Sequence, residues 1–329
     1  MNRPGGSMDE KEGNQNGDPG GHLSVFTRTH SATVSPETRL LSAFKRDTQI
    51  RRVYLAGREC YSEEGKTFEL RLVGKIKQQL SADPTLRPEY PPSLGLTEFT
   101  RRASEVALGK SSRAIAENRV LGVQTPGFTA AVRLGAELLR HWYDVCADWR
   151  GPVYLSSPCD DSLAAIFQAA GIQDICEYYY WDDKQRGVCL KKLLEDLERA
   201  PERSVVVLSA SAHYPTGADL SQNQWAVITQ LIMRRRLFPF LLLPAQALCY
   251  GDLERDAWPV QYCASLGMEL LCAQSFSHCF GLYGQQVDFL SKKRHIHLLP
   301  RGCLNMSAIN GRNFEYIADS IHLALTTSL

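Results

Sequence analysis

No stretch of this chain approaches the ~18 consecutive apolar residues that a membrane-spanning helix requires. Its opening, MNRPGGSMDEKEG, holds no apolar core of the kind a signal peptide needs. Charge of one sign is missing too. The 37 Lys and Arg against 36 Asp and Glu leave a formal net charge of +1, which removes the electrostatic case for a nucleic-acid or membrane partner. The ten cysteines show no paired CxxC spacing. Most lie in apolar segments such as 269–279, so reduced, buried thiols in a cytoplasmic protein are expected rather than a disulfide framework. Cys272, His278 and Cys279, and the pair His295 and His297, invite a metal reading, but without ligand-pair spacing no metal site is expected.

What is present fits a globular protein with one large domain and a smaller one. Residues 1–22 are rich in Gly, Asn, Asp and Glu and lack aromatics, so they are expected to be a disordered extension. Beyond them, strand and helix patterns alternate. Residues 129–142 (TAAVRLGAELLRHW) form an amphipathic helix with Gly127 just ahead of it. A short apolar run at 152–155 precedes a helix over 162–170 that Gly171 stops. Residues 190–198 are a charged amphipathic helix, and 204–208 (SVVVL) a buried strand. Ser221 caps a helix through Arg234, with Gln224 in capping-box position. Strands at 237–243 and 269–275 complete the set.

Buried strands separated by helices predict an α/β protein with a mostly parallel sheet and helices on both faces. Ligands then bind where loops leave the carboxyl ends of the strands: 125–129, 156–162, 210–217, 243–251 and 275–284.

Those loops carry recognisable residues. The ordered blocks include Glu89-Tyr90, LGLTEF at 94–99, GVQ at 122–124, PVYLSSP at 152–158 and YWD at 180–182. AHYPTG follows at 212–217, then FPF at 238–240, LERDAW at 253–258, AQSFSHCFGLY at 273–283 and RHIHLLPRGCLN at 294–305. In this the chain resembles the cytosolic-type aspartate aminotransferases, class I enzymes that use pyridoxal 5′-phosphate (PLP). The resemblance implies PLP-dependent transferase fold type I, here truncated, with a remnant small domain. It also implies domain bounds: 23–67 as N-terminal arm and small-domain part, 68–283 as an incomplete large domain, and 284–329 as the small-domain remnant. The family reaction is L-aspartate plus 2-oxoglutarate to oxaloacetate plus L-glutamate.

That reaction uses PLP as an electron sink and holds its aldehyde as an imine on a lysine amine. His278 aligns with that lysine. Imidazole is not a primary amine, so the resemblance implies a degenerate catalytic position. Leu242 aligns with the aspartate beside the pyridine nitrogen. Tyr214 stands for the asparagine, and Ala245 for the tyrosine, at the phenolic oxygen; Asp160 stands for the tryptophan that stacks on the ring. Toward the phosphate, Gly127, Thr129 and Ser275 keep their family places, while Phe128 replaces a glycine. Tyr90 matches a tyrosine lent across the dimer. The arginine that grips the substrate α-carboxylate aligns with Cys303. After Tyr283 roughly a hundred residues are missing by length comparison, including the remaining large-domain strand.

Three readings follow. The leading one is a catalytically degenerate protein that acts by association, as a homodimer or with an aminotransferase paralogue. Its arm would be Ser24-Val25-Phe26. The second is weak transamination or racemisation of a dicarboxylic amino acid, with His278 as proton shuttle. The third is a shortened product that does not fold stably.

Overall fold

Residues 205–208 are three valines and a leucine, and 238–243 read FPFLLL. Such runs bury both faces of a strand, as a parallel sheet covered on both sides demands. The computed structural model describes residues 71–84, 90–144 and 148–280, with positions 42, 45, 46 and 48 besides. The chain divides into two units, Met1–Gly57 and Arg58–Leu329, and the fold below belongs to the second. The boundaries expected at 22, 67 and 283 lie outside the described residues.

The helices α1 (Arg71–Ala82), α2 (Thr97–Leu108), α3 (Arg113–Ala116) and α4 (Phe128–Trp142) come first. Then follow β1 (Val153–Ser157), α5 (Asp161–Ala169), β2 (Ile175–Tyr179) and the two-stranded pair β3 (Trp181–Asp182) and β4 (Gly187–Val188). The chain continues through α6 (Leu190–Arg199), β5 (Val205–Ser209), α7 (Gln222–Arg234) and β6 (Phe238–Leu243). It closes on α8 (Leu253–Ser265), β7 (Leu271–Gln274) and α9 (Ser277–Phe280). The five main strands lie in the order β2-β1-β5-β6-β7, and every neighbouring pair is parallel.

Period-two alternation divides the core in two. Val206, Leu208, Leu241 and Leu243 point to one face and pack with Leu193 and Leu197 of α6, Trp225 and Ile228 of α7, and Val260 of α8. Val205, Val207, Phe240 and Leu242 point to the other, against Val132, Ala136 and Leu139 of α4 and Phe167 of α5. Ser221 and Gln224 form the expected capping box at the start of α7. Each arginine at the end of α7 is engaged: Arg234 with Glu198, Arg235 with the Ala200 carbonyl, and Arg236 with Glu202.

Several expectations need adjustment. The helix expected over 162–170 starts one residue earlier because Asp160, not a later residue, caps it: its Oδ1 accepts the Ser162 N–H at 3.0 Å. The strand expected over 269–275 shortens to Leu271–Gln274. The cysteines are less buried than their apolar surroundings suggested. Of the six whose side chains are described, Cys263 alone is buried and Cys249 is exposed. Among the described residues no helix is long and apolar enough to cross a membrane, and no cluster of three His, Cys, Asp or Glu is placed to hold a metal.

Candidate functional site

Parallel strands bring their carboxyl ends to one side, and backbone bonds fix those ends against one another. The Ala210 N–H donates to the Leu242 carbonyl at 2.8 Å, and the Ser275 N–H to the Leu243 carbonyl at 3.1 Å. The loops after β5, β6 and β7 therefore meet. The far end of α4 lies at the opposite edge of the strands, where Tyr143 packs on Phe238 with ring centroids 5.0 Å apart. Its N-terminus consequently opens toward the carboxyl side, where the loops gather.

That N-terminus carries uncapped backbone amides. Gly127 is the N-cap with φ 100°, a conformation that side chains other than glycine's resist, and a Cβ built there would stand in open space. No side chain caps the helix and no acidic residue occupies its first turn. The Ala131 N–H makes the 3.1 Å bond to the Gly127 carbonyl, so the amides of 128, 129 and 130 precede the first intrahelical bond. Free amides and the positive end of the helix dipole suit a phosphate. Phe128 packs partly buried against the α4–α5 core cluster. Thr129 beside it is exposed. Ser275 is buried, and its Oγ accepts the Ser277 N–H at 3.2 Å, which leaves the hydroxyl proton to donate.

The rest of the expected set is different in kind. Leu242 is 6% exposed and sits among Phe240, Val207 and Ala273, an apolar wall with no charge to offer a ring nitrogen. Asp160 spends its carboxylate on the α5 cap, also taking the Ser162 hydroxyl at 2.7 Å. Tyr214 is half exposed, and Tyr90 is fully exposed. His278 lies in the short α9 immediately after β7, partly exposed. Phe276, between Ser275 and His278, meets Phe99 of α2 edge-on at 6.0 Å, which anchors this turn to α2. Cys303 and the arm at 24–26 lie outside the described residues.

Sequence reasoning missed the polar frame behind these loops. His213 is buried, its Nε2 bonded to Ser156 Oγ at 2.9 Å and its Nδ1 to Thr216 Oγ1 at 2.8 Å. Its ring stacks on Tyr180 at 3.9 Å. Burial pushes this imidazole down to about 4, against a smaller opposing pull from Asp219, so it stays neutral at pH 7. Asp219 in turn accepts the backbone N–H groups of Ala212 and His213 at 3.0 and 2.9 Å. The Cys249 thiol also donates to Asp219, and burial together with that carboxylate raises it to about 12, so it is no nucleophile. Asp256 accepts the amides of Cys249 and Tyr250 and closes the loop after β6. The signal for His213 lies in AHYPTG at 212–217, which places a histidine directly on the loop after β5.

This is a parallel α/β fold whose loops gather an uncapped helix N-terminus, a buried serine and an apolar wall. Comparison with known proteins gives the class. The family model described as "Aminotransferase class I and II" matches residues 60–296, and the chain belongs to that family. It is 43% identical over 268 residues to the cytoplasmic aspartate aminotransferase of Gallus gallus, covering 82% of this chain and 65% of that one. With the cytoplasmic aspartate aminotransferase of Caenorhabditis elegans it shares 39% identity over 230 residues, 70% of this chain and 55% of the other. The chain thus spans less than two thirds of the length of these relatives. Among solved structures it is similar to an aromatic-amino-acid aminotransferase from Burkholderia pseudomallei, covalently bound to pyridoxal phosphate. The TM-score is 0.72 at 28% identity, over 93% of this chain and 71% of that one.

Proposed function

We propose that this chain is an aspartate aminotransferase-like protein in which covalent cofactor chemistry is lost while a phosphate-binding end is retained. The observation that carries the reading is a contrast among the loop residues. The amides of 128–130, the open Gly127 position and the Ser275 hydroxyl suit a phosphate. Leu242, by contrast, lies in an apolar wall, and an imidazole follows β7 where a primary amine is needed.

Bound PLP supplies an electron sink for a carbanion. The chain's own residues act on its phosphate only: helix amides and a serine hydroxyl bind and orient the anion. With no carboxylate at Leu242, nothing keeps a ring nitrogen charged, a loss on the order of 1.5–3 kcal/mol of hydrogen-bond energy. Any PLP is therefore held non-covalently and exchanges freely. The full exposure of Tyr90 favours a contact with a second subunit, homodimeric or paralogous, over a role within its own chain.

The test is retention. After incubation with PLP and desalting, a cytosolic aspartate aminotransferase is expected to keep its chromophore and this chain to lose it. Equilibrium dialysis should still detect binding that inorganic phosphate competes away. Stoichiometric retention through desalting, or turnover of aspartate with 2-oxoglutarate, would overturn the reading.

A further inference from the structure

A buried amide ties the carboxyl ends of β6 and β7 to the helices behind them. Gln246 follows β6 and is wholly buried. Its Nε2 donates to the Val106 carbonyl of α2 and to the Leu253 carbonyl of α8, each at 2.9 Å. Its Oε1 accepts the Nε2 of Gln274, the last residue of β7, at 2.8 Å. The two carbonyls fix which end of the amide is nitrogen. Turned over, Gln246 would set oxygen against oxygen and N–H against N–H.

This network converges on one residue. Val106 is among the last four carbonyls of α2, which lack partners inside their own helix, and Gln246 satisfies it. Phe99 lies seven residues earlier, on the same face of α2, and its ring is the one that meets Phe276 edge-on. One face of α2 therefore holds both neighbours of Ser275: Gln274 by way of Gln246, and Phe276 by way of Phe99. Between them, Ser275 uses its backbone N–H on Leu243 and accepts the Ser277 N–H on its Oγ, so its direction is set by how these neighbours are held.

We propose that Gln246 is a positioning residue for Ser275. By gripping Gln274 it fixes the depth and twist of the end of β7, and so the direction in which the serine hydroxyl donates. The inference rests on the reading of that hydroxyl as a phosphate donor.

Equilibrium dialysis of the full chain with pyridoxine 5′-phosphate, which has no aldehyde, tests it. Gln246→Met is expected to raise Kd about tenfold, close to the effect of Ser275→Ala and to the loss of one hydrogen bond to a charged group. In the Ser275→Ala background the same change should shift Kd by less than about twofold, because the hydroxyl it positions is gone. A merely structural role would weaken binding equally with and without that hydroxyl. Thr229→Val, which removes a buried hydroxyl bonded to the Trp225 carbonyl within α7, is the control for lost stability and should leave Kd unchanged. Should Gln246→Met fail to fold, Gln274→Met, which cuts only the β7 arm of the network, is read the same way. An unchanged Kd, or a loss that persists in full without the Ser275 hydroxyl, overturns the positioning role and leaves the phosphate reading standing. A native chain that binds no pyridoxine 5′-phosphate overturns that reading, and this inference with it.

Discussion

Between pH 6.5 and about 4 the native chain is expected to lose about 3 kcal/mol of stability through His213 alone. The imidazole is buried between Ser156 and Thr216 and stacked on Tyr180, and its folded value is pushed down to about 4 by that burial. In the unfolded chain the same group titrates near 6.5. Across this window the unfolded state binds a proton that the folded state refuses. Stability is therefore fully present above 6.5, falls as the solution is acidified, and levels off for this group below about 4. The surface carboxylates act elsewhere. Glu98, Glu117 and Glu137 are held below their ordinary 4.5 by hydrogen bonds from Arg101, Arg113 and Arg133 respectively. Their modest contribution is lost only as pH falls below that value. Urea unfolding at pH 7.5, 5.5 and 4.5 separates the two effects. His213→Gln keeps a donor and an acceptor in place but cannot titrate, so the fall that the native chain shows between 6.5 and 4.5 through this group should be missing from its curve. Parallel native and variant curves would show that His213 does not govern this window.

Phe240→Ala is expected to cost about 3–5 kcal/mol, the range for removing a buried aromatic ring. Phe240 is 1% exposed, at the centre of β6, and meets Phe167 of α5 edge-on at 5.9 Å. Its ring also explains a glycine in the middle of a helix. A Cβ built on Gly135 would stand 2.6 Å from Phe240 Cζ, so α4 gives up roughly 1 kcal/mol of helix propensity to approach the sheet. Gly135→Ala alone should therefore destabilise by about 1–3 kcal/mol through overpacking. In a Phe240→Leu background the same change should be nearly neutral. Thermal melts of the four proteins in this cycle measure the coupling, and additive effects would mean that the ring does not hold that space.

The legible parts of the fold were those where one physical signal dominates. The valine run at 205–207 and the FPFLLL segment could hardly be anything but buried strands, and Ser221 with Gln224 announces a helix start. Residues 175–179 (ICEYY) gave no such signal, because β2 is the edge of the sheet and a glutamate breaks its apolar run. The helix α8 was recognised only as the block LERDAW. Pro259 falls inside it, where proline normally ends a helix. At the site, the loops could be placed from the alternation of strand and helix, and the open N-terminus of α4 from Gly127. The frame around them could not. Gln246 bonds the Val106 and Leu253 carbonyls, the first of them 140 residues away, and no local pattern foretells such a tie. The capping role of Asp160 was equally hidden, since a second aspartate, Asp161, and Ser162 follow it directly and offer the same capping chemistry.

We propose that the position after β7 does not capture the PLP aldehyde. Intact mass after incubation with PLP and borohydride tests it most directly, because reduction traps only an imine. With a cytosolic aspartate aminotransferase alongside, a clear adduct is expected on the control and none mapping to a single site here. A PLP-sized mass increase that maps to one lysine of this chain would mean that another amine has taken over the role and that covalent capture is retained.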